Sequence, residues 1–200
     1  MSKFNSGKYW EDRYMKGGNS GTGSYGPMSE FKAEVVNKFV KDNEIKSVLE
    51  LGCGDGHQLG MFDVDRYIGL DVSSEAISMC RRMYKNDLSK KFAVYTQPFI
   101  YEVDLALSLD VIFHLVEDEV YEQYMKDLFS CSKYVIIYSS NTDEQVETQG
   151  EHMKQRKFSD DIKGWKLVEK IKNEYPYNKE TGEGSLADFY IYKKLGTLNR

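Results

Sequence analysis

A short apolar segment that runs into closely spaced glycines constrains the fold of this chain more than any other feature. The segment SVLEL, residues 47–51, has the character of a buried strand, and residues 50–56 follow the pattern E-x-G-x-G-x-G. Glycine lets the backbone turn sharply and lets a ligand approach without a Cβ atom in the way. In open α/β sheets, ligands bind at the carboxyl ends of the strands. The segment therefore predicts a ligand-binding loop at the end of the first strand.

The residues around this loop exclude two common phosphate-binding motifs. His57 and Gln58 follow the glycines, where a P-loop needs lysine and then serine or threonine. The third glycine also comes one residue too early for a dinucleotide-binding G-x-G-x-x-G loop. The next predicted strand, RYIGLDV, contains Asp71, 19 residues after Gly52, where a carboxylate can accept hydrogen bonds from both hydroxyls of a ribose. The loop and the acid together predict a nucleoside site.

Strand-like and helix-like segments alternate along most of the chain. Apolar residues recur at helical spacing in residues 29–40, 73–86 and 117–132. Seven segments have the character of strands: 47–51, 66–72, 91–96, 103–109, 133–139, 165–171 and 187–193. Such alternation is typical of a parallel sheet with helices on both faces. No clear helix separates the last two strands, which is compatible with an antiparallel hairpin at the sheet edge.

Two local expectations accompany this assignment of elements. The stripe formed by Val120, Tyr124 and Leu128 is expected to face the core, because these residues recur at four-residue spacing. His57 directly follows the glycine loop, and we expect it at the surface, at the start of a helix.

The size and composition of the chain fit a single domain, residues 1–200. Its formal net charge of −5 argues against a nucleic-acid partner, which a basic surface would favour. No run of about 18 apolar residues predicts a membrane span, and the N-terminus lacks the apolar stretch of a secretory signal. Cys53, Cys80 and Cys131 have neither disulfide nor zinc-ligand spacing, and the three histidines are scattered. We therefore expect no metal, reduced thiols and a cytoplasmic location.

Residues 1–27 form an N-terminal arm, and residues 28–200 form the predicted catalytic core. Glycine and serine are dense in the stretch GGNSGTGSYG, so the arm is expected to be a loop. It also carries four aromatic residues: Tyr9, Trp10, Tyr14 and Tyr25. Aromatic side chains in a flexible arm indicate that the arm folds over another surface.

Two motifs, VLELGCGDG and YIGLDVS, resemble the nucleoside-binding half of class I S-adenosylmethionine-dependent methyltransferases. The likeness covers nearly the whole chain, because SLDVIFHL and the terminal strand pair also match. The resemblance implies a Rossmann-like, seven-stranded, mostly parallel sheet with an antiparallel last strand. It also implies S-adenosylmethionine as the cofactor and S-adenosylhomocysteine as the product. Gly52, Gly54 and Gly56 would pack against the cofactor, Asp71 would bind its ribose, and Glu50 would hold its methionine end.

Further cofactor contacts are expected beside these motifs and in the arm. The loop and the strand ends contribute Cys53, Val72, Leu109 and Asp110. Many members of the family place an acid after the third strand to meet the adenine amine, and here Gln97 is expected to offer its carbonyl instead. The arm resembles the N-terminal lid of a subset of small methyltransferases, some of them found with glycan and small-molecule biosynthesis. Tyr9, Trp10 and Arg13 match that lid in type, and they would either close over the cofactor or pack on the body.

A histidine after the fourth strand is the candidate catalytic residue. His114 lies in the segment LDVIFHL, and an ordinary histidine pKa of about 6.5 makes a neutral ring available near pH 7. A hydroxyl nucleophile gains about 10²–10⁴-fold in rate from such a base. The alternative is that His114 only lines the pocket or packs on the following helix. Asp110 is expected either to orient His114 or to face the cofactor.

The segments after the fifth strand and before the last strand hold the predicted substrate-binding residues. His152, Lys154 and Arg156 alternate, so an extended chain would place them on one side, where they could grip a phosphate, carboxylate or sugar. A solvated basic stretch is the alternative. Tyr177 lies in the long loop before the last strand, a position where loops tune substrate choice. The site prediction therefore assigns His152, Arg156 and Tyr177 to the acceptor.

These features predict an enzyme that transfers a methyl group from S-adenosylmethionine to a small molecule or glycan, at oxygen by preference. A protein or peptide methyltransferase, and a module that binds S-adenosylmethionine without turnover, are the alternatives. The expected partner is a small-molecule or glycan acceptor, with no nucleic acid and no membrane. The chain is expected to be a monomer or a homodimer.

Overall fold

Seven strands form one sheet in the computed structural model, which describes residues 4–146 and 149–196. The strands are β1 (Ser47–Leu51), β2 (Arg66–Asp71), β3 (Lys90–Val94), β4 (Val103–Leu109), β5 (Ser132–Ser139), β6 (Trp165–Ile171) and β7 (Asp188–Lys194). Their order is β3-β2-β1-β4-β5-β7-β6, and β7 runs antiparallel to both of its neighbours. This topology confirms the predicted Rossmann-like, mostly parallel sheet with an antiparallel last strand.

Helices cover both faces of the sheet, as predicted. Within the described residues, the α-helices are α1 (Ser6–Met15), α2 (Pro27–Asp42), α3 (Ser74–Met83) and α4 (Asp118–Leu128). One apolar core contains Val36 of α2 and Ile77 of α3, and a second contains Leu128 of α4. In this part of the chain, no helix is long and apolar enough to cross a membrane.

The two central strands, β1 and β4, set the position of the ligand-binding edge. Val48 and Leu49 of β1 are buried in opposite cores, as neighbours on a central strand should be. β1 pairs in parallel with both β2 and β4, so the strand order reverses beside β1. Ligand crevices of open α/β sheets lie at such a reversal, outside the carboxyl ends of the strands. The ends of β1, β2 and β4 therefore frame the candidate site.

The N-terminal arm departs most from the predicted elements, because its first half is helical. α1 spans Ser6–Met15, whereas the sequence led us to expect a loop over residues 1–27. Asn5 caps this helix by accepting a hydrogen bond from the N–H of Lys8 at 2.6 Å. The dense glycines begin only at Gly17, beyond the helix. The expectation of a loop was wrong for the first half of the arm because the glycines are dense only in its second half.

The connection between β1 and β2 also differs from the prediction. A helix was expected after the glycine loop, but the structure has only a short 3₁₀ turn, Gln58–Met61. Four glycines among residues 52–65 disfavour a longer helix, since each costs about 1 kcal/mol in a helix interior. His57 stacks on Tyr25 with ring centres 4.1 Å apart, so it packs against the arm and does not begin an α-helix.

The buried face of α4 is rotated relative to the predicted stripe. Tyr124 and Leu128 are buried, but Val120 is 39% exposed. Tyr121 and Met125 complete the buried face instead. The exposed Val120 lies beside the cavity described next.

Candidate active site

The glycine loop forms a surface that only glycine can provide. Gly52 and Gly54 have φ angles of 88° and 57°, a region that other residues rarely adopt. A Cβ atom on Gly52 would lie 2.4 Å from a methyl carbon of Val111, and one on Gly54 would lie 2.3 Å from the hydroxyl oxygen of Ser20. Both distances are far below van der Waals contact, so the loop needs glycine at both positions. Both residues line a cavity at the end of β1.

Gly56 serves a different purpose from the other two glycines. A Cβ atom there would lie 2.9 Å from the sulfur of Cys80 on α3, and the Tyr84 hydroxyl donates a hydrogen bond to the Gly56 carbonyl at 2.8 Å. Gly56 is not among the residues that line the cavity. Its position allows α3 to pack closely on the loop, which is the role often served by the last glycine of such loops.

Asp71, at the end of β2, is a buried carboxylate held by backbone groups. One of its oxygens accepts a hydrogen bond from the N–H of Gly54 and the other from the N–H of Ser73, both at 2.9 Å. Burial raises the pKa of Asp71 to about 6. Each carboxylate oxygen can accept a further hydrogen bond. The geometry therefore suits a ligand that offers two hydroxyl groups.

Glu50 is a second buried carboxylate on the same wall. The hydroxyl of Tyr67 donates a hydrogen bond to it. Burial raises the pKa of Glu50 to about 7, and the nearby positive charge of Lys32 opposes this increase. A buried acid in this state favours a cationic ligand, because such a ligand stabilises the ionised form.

The cavity around these groups has a volume of about 960 Å³. Nine predicted cofactor-binding residues line it: Trp10, Glu50, Gly52, Cys53, Gly54, Asp71, Val72, Leu109 and Asp110. The wall also includes residues that we did not predict, among them Ser6, Tyr14, Ser20, Lys32, Tyr95, Val120 and Tyr124.

The burial of one unpredicted wall residue, Lys32, could have been predicted from the sequence. Lys32, Val36 and Val40 follow one another at four-residue spacing on α2, and all three are buried. A lysine within such a stripe is rarely buried without an anionic partner. Lys32 meets this expectation through an ion pair with Asp110, with Nζ and Oδ2 at 2.6 Å.

Gln97, expected to meet adenine, lies outside the cavity wall. Its amide nitrogen donates to Asp127 at 2.5 Å, and its carbonyl accepts from the N–H of Phe99 at 3.0 Å. Tyr95, two residues earlier, lines the cavity instead, and its hydroxyl also donates to Asp127. The side chain that reaches this end of the cavity is thus aromatic.

The predicted cofactor fits this cavity on structural grounds. Gly52 and Gly54 leave room that a Cβ atom would fill, and Asp71 offers free acceptor capacity where ribose hydroxyls would bind. A positively charged methionine end beside Glu50 would stabilise the ionised form of this buried acid. Apolar and aromatic side chains such as Val72 and Tyr95 would hold the adenine.

A second cavity of about 1,200 Å³ adjoins the first. The two share four wall residues: Trp10, Ser20, Asp110 and His114. Arg13, His152 and Tyr177 also line the second cavity. A molecule bound in the second cavity would therefore approach a ligand in the first across this shared wall.

His114 on the shared wall has a defined protonation state. Its Nδ1 atom lies 3.0 Å from the backbone carbonyl oxygen of His152. A carbonyl oxygen can only accept, so Nδ1 must carry the proton and Nε2 of the neutral ring must not. Burial lowers the pKa of His114 to about 4. Among the described residues, Nε2 has no hydrogen-bond partner, and it can accept a proton or a hydrogen bond.

Aromatic stacking fastens α1 over the second cavity. The rings of Tyr9 and His152 stack with centres 4.6 Å apart, and His152 stacks in turn on His114 at 5.3 Å. Trp10 meets the His114 ring edge-on at 4.9 Å. Tyr9 does not line the cofactor cavity; it contacts the site through His152. Arg13 lies on the second cavity and donates to the backbone carbonyl of Asn19 at 2.7 Å.

Arg156, predicted to bind substrate, lies outside the second cavity. Its guanidinium donates to the carbonyl oxygens of Leu115, at 2.8 and 3.0 Å, and of Val116, at 3.1 Å. It also pairs with Asp118 at 2.9 Å and lies over the ring of Tyr121, 4.2 Å from its centre. These contacts join the segment after β5 to the start of α4.

Comparison with known proteins adds to this geometry. The model of the mRNA (guanine-N(7))-methyltransferase domain family matches residues 29–156, or 128 of the 200 residues. A curated relative, the mRNA cap guanine-N(7) methyltransferase of Eremothecium gossypii, is 36% identical over 58 residues. That alignment covers 28% of this chain and 13% of the relative.

Solved structures share the fold along almost the entire chain. The N-methyltransferase NodS from Bradyrhizobium japonicum WM9, in complex with S-adenosylhomocysteine, has a TM-score of 0.70 at 13% identity, covering 96% of this chain and 99% of that chain. The magnesium protoporphyrin IX methyltransferase ChlM from Synechocystis PCC 6803, with bound S-adenosylmethionine, has a TM-score of 0.67 at 14% identity, covering 97% and 99%. At such identities the likeness shows the fold.

Proposed function

The chain belongs to the mRNA (guanine-N(7))-methyltransferase domain family and is an S-adenosylmethionine-dependent methyltransferase, and we propose that it methylates a hydroxyl oxygen of a small molecule or glycan. The acceptor binds in the second cavity, and His114 takes the proton that the hydroxyl loses. The position of His114 on the wall shared by the two cavities is the observation that supports this proposal.

The residues of the first cavity hold the cofactor and set its orientation. S-adenosylmethionine supplies a methyl group activated by a sulfonium, whose sulfur leaves as a neutral thioether. Asp71 binds the ribose hydroxyls, and Glu50 binds the methionine end. The backbone at Gly52 and Gly54 approaches the nucleoside closely. Correct alignment of nucleophile and methyl carbon accounts for roughly 7–11 kcal/mol of barrier lowering in such reactions.

His114 suits an acceptor that carries a proton on the atom to be methylated. A hydroxyl in the second cavity donates a hydrogen bond to Nε2, which is unprotonated because Nδ1–H is bound to the carbonyl of His152. As the hydroxyl oxygen takes up the methyl group, its O–H proton would move to Nε2. The low pKa of His114, about 4, then favours rapid release of that proton to water.

A second candidate acceptor is the guanine N7 atom of an mRNA cap, and the family match favours it. Guanine N7 carries a lone pair and no proton, so its methylation gives Nε2 of His114 no proton to accept. A cap also carries a triphosphate, and Arg13 is the one cationic side chain among the described residues that line the second cavity. Both observations weigh toward the hydroxyl acceptor.

Transfer of labelled methyl from S-adenosylmethionine distinguishes the two acceptors. The candidate acceptors to be tested are hydroxylated metabolites and glycosides, with GTP and the cap analogue GpppA as nucleotide acceptors. With a hydroxyl acceptor, we expect His114→Gln to lower turnover about 10²–10⁴-fold, with a much smaller change in cofactor affinity. The control is His57→Gln, which removes a histidine stacked on Tyr25. Label on guanine N7, with full activity of His114→Gln, would replace the hydroxyl proposal by the cap proposal.

A further inference from the structure

An ion pair between a buried lysine and a half-buried aspartate lies where the two cavities meet. Asp110 lines both cavities, and its Oδ2 atom accepts a hydrogen bond from Nζ of Lys32 at 2.6 Å. The Lys32 side chain is only 1% exposed, and its Nζ lies 5.5 Å from the centre of the Tyr138 ring. The positive charge of Lys32 balances the negative charge of Asp110. The pair therefore offers carboxylate oxygens as acceptors but has no net charge.

Tyr138, on the wall of the second cavity, carries an unused donor. Its side chain is 1% exposed, and its hydroxyl makes no hydrogen bond with any described residue. The side chain of Ser185, on the same cavity wall, is close enough to interact with this phenol. Burial of a polar group without a hydrogen-bond partner is unfavourable. A hydroxyl group of a bound acceptor would remove this cost.

The backbone fixes Asp110 beside Tyr138. The N–H of Asp110 donates to the carbonyl of Tyr138 at 2.9 Å, which ties the end of β4 to β5. Asp110 has a φ angle of 58°, a left-handed conformation that is uncommon for residues other than glycine. Such conformations persist where the surroundings impose them, and they concentrate at functional sites.

We infer that Asp110 and Tyr138 form a subsite for the hydroxyl groups of a neutral, polyhydroxylated acceptor, and that Lys32 determines its specificity against amines. A hydroxyl accepts a hydrogen bond from Tyr138 and donates one to Asp110, whereas an ammonium group has only donors. Without Lys32, the carboxylate would attract cations. The aromatic rings of Trp10 and Tyr177 offer apolar surface to the carbon skeleton of the acceptor.

The inference rests on the proposed function only in taking the second cavity as the acceptor site, so binding tests it without turnover. Ligand-observed NMR on protein loaded with S-adenosylhomocysteine would use methyl hexosides, butylamine and GTP as probes. We expect at least one hexoside to bind, and Tyr138→Phe to weaken it about tenfold. The control Tyr134→Phe removes a phenol from the same strand outside the cavity and should leave binding unchanged.

A second variant tests the role of the lysine. Lys32→Met leaves the Asp110 carboxylate unpaired, so we expect butylamine to bind the variant and not the original protein. The subsite would be overturned if no hexoside bound, or if Tyr138→Phe bound hexosides as well as the original protein does. The role of Lys32 would be overturned if a folded Lys32→Met variant did not gain butylamine binding. If hexosides bind as expected but His114→Gln keeps its full rate, the proposed proton transfer fails while the subsite stands.

Discussion

Replacing Glu50 by glutamine tests the electrostatic basis of cofactor binding. Glu50 is buried beside the glycine loop, and burial raises its pKa to about 7. If Glu50 holds the methionine end as proposed, the sulfonium and ammonium charges of the cofactor favour the ionised carboxylate, so binding should displace a proton from Glu50. Affinity should therefore rise with pH up to and through the raised pKa. Glutamine keeps the size of the side chain and can still accept the hydrogen bond from Tyr67, but it cannot titrate.

The size of the effect follows from the two buried acids of the cavity. Apparent affinity scales with the fraction of protein in the competent state, here the ionised one. For a pKa of about 7, the ionised fraction of Glu50 rises about sixteenfold between pH 5.5 and pH 7.0. For a pKa of about 6, that of Asp71 rises about fourfold. The affinity of the original protein should thus rise about sixtyfold, and that of Glu50→Gln about fourfold.

Titration calorimetry with S-adenosylmethionine between pH 5.5 and pH 7.0 measures the rise in affinity of the original protein and of Glu50→Gln. The range lies below the ordinary pKa of an α-amino group, about 7.7–8.0, so the ligand's own ammonium stays protonated. Two buffers of different ionisation enthalpy report the protons released. Glu34→Gln, at an exposed position on α2, controls for the loss of one acid. An equal pH dependence in the original protein and in Glu50→Gln would refute the assignment to Glu50, and so would a flat profile in both.

Two further substitutions test the loop and the segment after β5. Gly54→Ala should weaken cofactor binding at least tenfold, because its Cβ would lie 2.3 Å from the Ser20 hydroxyl; Gly164→Ala, also at positive φ but with no atom within 4 Å of its Cβ, should not. Cofactor-induced thermal stabilisation measures both, and equal stabilisation would contradict the steric reasoning. Arg156→Ala should lower stability by about 1.5–3 kcal/mol or more, since it leaves the carbonyls of Leu115 and Val116 unpaired, with little change in acceptor KM. A raised KM at unchanged melting temperature would restore Arg156 to the acceptor site.

The sheet was predictable because its strands are continuous apolar runs separated by turns or amphipathic helices. The bounds of β1, β4 and β6 match the prediction, and those of the other strands differ by one or two residues. The pairing of the glycine loop with Asp71 was also predictable, because parallel neighbours β1 and β2 bring their carboxyl ends together. These features depend on local pattern and on one rule of topology, and a single sequence carries both.

The partners of charged side chains were not predictable in the same way. The alternation of His152 and Arg156 indicates a shared side of an extended chain, but it does not indicate what that side faces. The structure places His152 on the wall of the second cavity and Arg156 on backbone carbonyls before α4. Every residue has a backbone carbonyl, so a sequence pattern does not indicate which carbonyls a side chain will bind. An arginine that binds carbonyl oxygens therefore has the same sequence pattern as one that binds a substrate.

The arm shows how a misjudged element can still indicate the site. Its helical half was mistaken for a loop, yet its aromatic residues pointed to a surface that it covers. Trp10 and Ser20 belong to the walls of both cavities. Ser20 is fixed to the glycine loop by two hydrogen bonds with Asp55, one from its own N–H to the carboxylate at 2.9 Å and one from the Asp55 N–H to its hydroxyl at 3.0 Å. A ligand at the carboxyl edge of a parallel sheet is exposed to water. The N-terminal arm bonds to the glycine loop and borders both cavities, so it can exclude water from the point where the cavities meet.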